Sequence, residues 1–267
     1  MRNFSPGYKI GNIADQQVPS WDTGRVMQVT SDDIPAEVDP RQWHVVEDQG
    51  PVGSCQGVAL SSVLEHCYFI DTAGENVSLS KMAAYRFSQE EDGIKGDTGS
   101  TLSGGAAAAK KGVCEERFFP YAEEYQRKIP SIARSNRSKF RIEVAQKLSG
   151  PDYSEQVRRW IGSGKGSVVI GVKWTKSMDQ DRISKYVYRG SGGGHAVAIT
   201  GYTKDELVIC QSWGDRIFDG GYQYITDNAL NECLGYGWNL AMAYSDLKDI
   251  ELMREYPSFN KIGDMFS

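Results

Sequence analysis

The spacing of apolar residues changes character about halfway along the chain. Over residues 53–70 they recur at helical intervals, with Val58, Leu60, Ser61, Leu64 and Cys67 on one face and Ser54 as the expected N-cap. A second helix is predicted over 79–91. A Gly/Asp/Ser/Thr-rich loop follows over 91–105. A third helix is predicted over 105–111, closed by Gly112 as a C-cap. Residues 130–141 are locally basic and read as a solvated loop, and 153–162 as a short amphipathic helix. Beyond 167 the period shortens. Residues 167–172, 196–200, 206–210, 221–225 and 240–244 are short runs rich in Val, Ile, Ala and Tyr, each expected to be a strand. Helices in the first half and strands in the second predict an α+β fold of two lobes. Residues 1–34, broken by Pro6, Gly7, Gly11, Pro19 and Gly24, read as an extended arm. No internal repeat is visible.

Composition narrows the class. The 267 residues are 24% charged and 40% hydrophobic, which excludes a disordered chain, a collagen and a coiled coil. A net charge of -5 gives no reason to expect nucleic acid or an anionic membrane as partner. No apolar run reaches the roughly 18 residues of a membrane-spanning helix, and residues 1–7 lack the apolar core of a signal peptide. Five cysteines without a CxxC pair do not form a disulfide framework. A reducing cytoplasm is therefore expected, that of a host cell, or a virion if the protein is phage-encoded. The cysteines and the adjacent His66-Cys67 lack metal-ligand spacing, so no metal and no cofactor is expected.

Three short segments carry chemistry. In the first, a glycine-rich turn, Gln49-Gly50-Pro51-Val52-Gly53-Ser54, delivers Cys55 to the start of the first helix. The positive end of a helix stabilises a thiolate, and a thiolate is a nucleophile suited to acyl transfer. In the second, Gly192-Gly193-Gly194-His195 places an uncrowded imidazole at the start of a strand. The other two histidines, His44 and His66, read as satisfied structural residues. Downstream, Gln211-Ser212-Trp213-Gly214 offers an amide oxygen at Gln211 to orient His195, and an indole at Trp213 to shield that bond from water.

Taken together these segments resemble the papain-like cysteine peptidases. The segment from Gln49 through Gln56 resembles the family's nucleophile motif, Gly194-His195-Ala196 its histidine motif, and Gln211 through Gly214 followed by Gly221-Tyr222 its Asn-Ser-Trp-Gly…Gly-Tyr motif. Leu79-Ser80 and residues 112–121 look like the family's bacterial members, and the lead-in 34–39 resembles the usual start of the mature domain. The resemblance implies a helical left lobe of roughly 50–115 and an antiparallel, β-barrel-like right lobe of roughly 116–245. The active-site cleft would lie between them. The peptidase domain would span 34–250, with an arm at 1–33 and a tail at 251–267.

It also implies roles. Cys55 would be the nucleophile, His195 its base and then the acid to the leaving amine. Gln49 would be an oxyanion donor beside the Cys55 N–H, and Gln211 the orienter of His195. Gly99 would pair with the substrate strand, Gly193 and Gly194 would border an open pocket, and Trp213 would complete the binding site. Protein or peptide is the implied substrate.

Three departures from the family stand out. Gln211 replaces Asn and adds a methylene, Gln56 replaces an aromatic, and Val52 replaces a disulfide cysteine. An arm of about 34 residues is shorter than the family's inhibitory propeptide. Two other readings remain open at this level: a papain-fold interaction module with little turnover, and an acyl transferase or deamidase using the same dyad.

Overall fold

The computed structural model describes residues 34–190, 192–237 and 239–247. The expected arm at 1–33 and tail at 251–267 lie outside the described residues. Among the described residues six α-helices and seven strands follow one another: α1 (Cys55–Asp71), α2 (Lys81–Asp92), α3 (Leu102–Lys111), α4 (Ser131–Asn136), β1 (Ile142–Lys147), α5 (Tyr153–Gly162), β2 (Gly166–Lys173), β3 (Arg182–Ile183), β4 (Gly194–Tyr202), β5 (Glu206–Cys210), β6 (Tyr222–Thr226), α6 (Asp227–Leu234) and β7 (Leu240–Leu247).

The helix α1 starts at the expected residue but is buried all round from Cys55 to Cys67 rather than on one face. It lies between α2 and α3 on one side and β2, β4 and β7 on the other. A helix enclosed in this way has no solvent stripe. Two of its serines satisfy themselves locally: the Ser61 and Ser62 hydroxyls donate to the Val58 carbonyl at 2.9 and 3.1 Å. Close approach to α2 depends on Gly57, where a Cβ would come within 2.6 Å of the Tyr85 backbone nitrogen.

Thr101 caps α3 by accepting from the Gly104 N–H, so this helix begins earlier than the alanine run suggests. The basic stretch expected to be a loop instead forms α4 and a 3-10 turn over Arg137–Lys139. The Arg134 guanidinium there pairs with Glu90 on α2. The strands β1 and β3 and the helix α6 were not anticipated; β1 and β3 are the edges of the sheet, and β3 is two residues long.

The seven strands form one sheet in the order β1-β7-β2-β4-β5-β6-β3. Neighbours run antiparallel except β3 beside β6, which are parallel. The edges do not meet, so the expected barrel-like lobe is an open sheet. Helices cover both of its faces, which removes the need for closure and explains why the central strands read as continuous apolar runs instead of alternating ones. One face, with Val169, Ala196 and Ala198, packs on α1 through α3. The other, with Val168, Ile170, Val172, Val197 and Ile199, packs on Val157, Trp160 and Ile161 of α5 and Leu230 of α6. Burial on both faces of the sheet contributes on the order of 25 cal/mol per Å² of apolar surface removed from water. No helix among the described residues is long and apolar enough to cross a membrane.

Candidate active site

Cys55 is the first residue of α1 and is fully buried. The residue ahead of it, Ser54, makes no side-chain cap to the helix. Its hydroxyl instead meets the Tyr121 hydroxyl at 2.5 Å, and Tyr121 also donates to the Gln49 carbonyl at 2.9 Å. The 49–54 turn is thereby anchored to the chain beyond α3, and the N-terminus of α1 is presented without a side-chain cap.

Gln49 is 1% exposed and its amide is held at both ends. Its Nε2 donates to the Val52 carbonyl at 2.9 Å, and its Oε1 accepts from the Ser212 hydroxyl at 2.5 Å. The Gln49 backbone N–H donates to the Ser212 carbonyl at 2.7 Å, and Asp48 bridges Trp213. The turn before Cys55 is thus joined by backbone and side chain to the segment that follows β5.

That segment reaches His195. The imidazole lies on β4, opposite Val172 on β2, and is 3% exposed. Its Nε2 is 3.2 Å from Gln211 Oε1. The Trp213 ring stacks on it at 4.5 Å and 17°, and the Trp174 ring meets it edge-on at 5.0 Å and 88°. Burial pushes the His195 pKa down to about 4, against the opposing pull of the Gln211 bond. The ring is therefore neutral near pH 7. Gln211 accepting at Nε2 fixes the proton there and leaves Nδ1 as the acceptor nitrogen.

The added methylene of Gln211 does not break the bond to His195. Gln211 is buried and its Nε2 donates to Gln223 Oε1 at 2.5 Å. Gln56 is fully buried and its Oε1 accepts from the Ser100 hydroxyl at 2.7 Å, so a polar contact replaces the family's aromatic. His44 and His66 are buried and hydrogen-bonded, in keeping with their reading as satisfied structural residues. His44 lies between the Tyr222 and Ser62 hydroxyls, and His66 stacks on Trp43 at 4.1 Å with Nδ1 on the Ser167 hydroxyl.

The glycines divide. Gly193 is exposed and its carbonyl accepts from the Trp174 N–H at 2.9 Å. Gly194 is buried within β4, paired with Lys173. Gly99 is buried, and both of its backbone groups are used inside the helical region. Its N–H donates to the Tyr85 oxygen at 3.0 Å and its carbonyl accepts from Gln89 Nε2 at 3.0 Å. The structure therefore brings Gln49, His195, Gln211 and Trp213 into one bonded cluster at the turn leading to Cys55, and leaves Gly99 engaged elsewhere. The loop holding Gly99 does approach that turn, since Asp97 Oδ1 accepts from the Gly53 N–H at 2.9 Å.

Sequence reasoning missed Trp174, Ser212 as a partner of Gln49, and Gln223. The available signals were a tryptophan just past a buried strand and a glutamine inside an otherwise aromatic and aliphatic one. Among the described residues no group of three or more His, Cys, Asp or Glu is placed to hold a metal ion.

The sequence model of the papain family cysteine proteases matches residues 34–237. Three solved structures share the fold. Xylellain, a cysteine protease from Xylella fastidiosa, superposes with a TM-score of 0.74 at 20% identity, covering 92% of this chain and 97% of its own. Digestive procathepsin L 3 of Tenebrio molitor gives 0.66 at 20% identity, over 82% of this chain and 72% of its own. The Carica candamarcensis cysteine protease CMS1MS2, solved in complex with E-64, gives 0.62 at 21% identity, over 80% of this chain and 99% of its own.

Proposed function

This chain belongs to the papain family of cysteine proteases, and from that premise we propose that it hydrolyses peptide bonds through a Cys55–His195 dyad and an acyl-enzyme intermediate. The observation that carries the reading is the tie between the two halves of the site. Ser212 and Trp213 bind the Gln49 turn that leads to Cys55, and the same Trp213 stacks on His195.

Each step then has a residue. Neutral His195 accepts the Cys55 thiol proton at Nδ1, and the resulting imidazolium stabilises the thiolate beside the positive end of α1. The thiolate adds to the scissile carbonyl carbon. The carbonyl oxygen takes the negative charge and is met by the Gln49 side-chain amide and the Cys55 backbone N–H. Collapse of the tetrahedral intermediate breaks the C–N bond, and the amine nitrogen leaves with the proton held on His195. Water then gives a proton to His195 and adds to the thioester; collapse breaks the C–S bond, the acid product leaves, and His195 returns its proton to the Cys55 sulfur. Trp213 and Trp174 keep the imidazole out of bulk water, and in that drier setting its bond to Gln211 is worth more than it would be in water.

Gly193, exposed and without a side chain, borders the binding cleft, with Gly194 behind it. Gly99 is not included, because a substrate strand would first have to displace its two internal bonds. The substrate is a protein or peptide. A reducing compartment, the cytoplasm, is in keeping with five buried cysteines that form no disulfide among the described residues. Neither a module without turnover nor transfer to an acceptor other than water is favoured by a feature of the site.

The test is labelling by an epoxide probe alongside turnover of denatured casein. Cys55→Ala abolishes both, whereas Cys67→Ala leaves both intact, because burial pushes the Cys67 thiol far up. Retained labelling in Cys55→Ala overturns the assignment.

A further inference from the structure

The site contains a buried glutamine, Gln223, that takes no part in the proposed bond-making and bond-breaking steps. Gln223 lies in β6 opposite Ile209 and is fully buried. Strand alternation places it on the face that carries Ile225, Ile209, Val197 and Ile199. An amide on such a face is costly unless every group is hydrogen-bonded. Here the groups are bonded, and in one direction only. Gln223 Nε2 donates to the Met178 carbonyl at 2.8 Å and to the Gln180 carbonyl at 2.6 Å. Backbone carbonyls can only accept, so this end of Gln223 must be the NH2 and its Oε1 must face Gln211. The Gln211 group facing it must then be the NH2, which turns Gln211 Oε1 toward His195. An oxygen there requires a proton on His195 Nε2 and leaves Nδ1 open.

Resting on the dyad reading above, we infer that Gln223 is a positioning residue that fixes the amide orientation of Gln211 and, through it, the tautomer and aim of His195. Glutamine at 211 has one more rotatable bond than the family's asparagine. A relay anchored on two carbonyls removes that freedom. Without it the Gln211 amide can turn over or swing away. Either change places the wrong group on the imidazole or moves the ring, and a displacement of about 1 Å can cost on the order of 100-fold in rate. Gln223 touches neither substrate nor the reacting atoms.

The test is steady-state kinetics on a fluorogenic peptide with Gln223→Met, Gln223→Glu, Gln211→Ala, the Gln211→Ala/Gln223→Met double variant and His195→Ala. The expected result for Gln223→Met is a fall in kcat of about 10-fold or more with KM within about twofold. In the Gln211→Ala background the same change costs nothing further, because the residue it positions is gone. Gln223→Glu keeps the shape and can donate to the carbonyls only while its introduced carboxyl is protonated, so its kcat falls as pH rises through that ionisation, unlike wild type. The inference is overturned if both single variants keep kcat within twofold. It is also overturned if Gln223→Met costs the same factor with and without Gln211, the behaviour of a residue that only packs. His195→Ala separates the levels. If it abolishes turnover while the Gln223 variants are silent, only this inference falls; if it leaves turnover intact, the dyad reading fails and the inference with it.

Discussion

Acid should destabilise this protein through its histidines, and the size of the effect can be worked out. Burial lowers His44 to about 4, His66 to about 3 and His195 to about 4, from an ordinary value of 6.5. An imidazole that is harder to protonate when folded takes its proton in the unfolded chain first, so acid draws the equilibrium toward unfolding. The loss begins as pH falls through about 6.5 and is complete only below the folded values. At pH 5 each histidine contributes about 2 kcal/mol of lost stability, or about 6 kcal/mol for the three. That is comparable to the whole stability of a typical domain, roughly 5–15 kcal/mol. Glu65 works in the opposite sense. Burial raises it to about 7, so the folded chain holds the proton more tightly and recovers about 2 kcal/mol over the same interval.

Replacing one histidine isolates its share. His66→Gln removes a group that titrates only in the unfolded chain over this interval and leaves the carboxyls in place. Urea unfolding followed by tryptophan fluorescence at pH 7.5 and 5.0 should show wild type losing about 2 kcal/mol more than the variant between the two conditions, whatever the variant loses at pH 7.5. His44→Gln should behave in the same way. If wild type and both variants lose equal stability between the two pH values, the buried-imidazole reasoning is refuted.

Other perturbations have equally definite outcomes. Gly57→Ala forces a methyl into the Tyr85 backbone and should destabilise by about 1–3 kcal/mol, read as a lowered urea midpoint. Trp174→Ala removes the edge-on ring over His195, so water reaches the imidazole and its pKa rises toward 6.5; the acidic limb of kcat/KM should move to higher pH. Ser212→Ala deletes the donor holding Gln49 Oε1 and should lower kcat by about 10-fold, with little change in KM and the Cys55 labelling rate retained. An unchanged kcat would remove Gln49 orientation from the mechanism.

What could be read directly from the chain was whatever depends on near neighbours. The start of α1 at Cys55 follows from a glycine-rich turn running into a helical period, and the central strands β2, β4 and β5 from short apolar runs between turn residues. The placement of a cysteine and a histidine at the beginnings of two such elements is local in the same way. So is the family resemblance, which is carried by short motifs of consecutive residues. The edge strands were not legible, since β3 is only two residues long and pairing, more than period, makes it a strand. Gly99 has a local sequence that fits a substrate-facing turn; the neighbouring Tyr85 and Gln89 claim its N–H and carbonyl. The open sheet in place of a barrel depends on helices α5 and α6 covering the second face. The protonation state of His195 depends on Trp213 and Trp174 excluding water from it. The relay through Gln223 needs four segments, around 178–180, 195, 211 and 223, whose register only the assembled sheet sets. Burial, pKa and the direction of a hydrogen-bond chain are properties of what surrounds a residue, and those surroundings come from distant parts of the chain that meet only once it is folded.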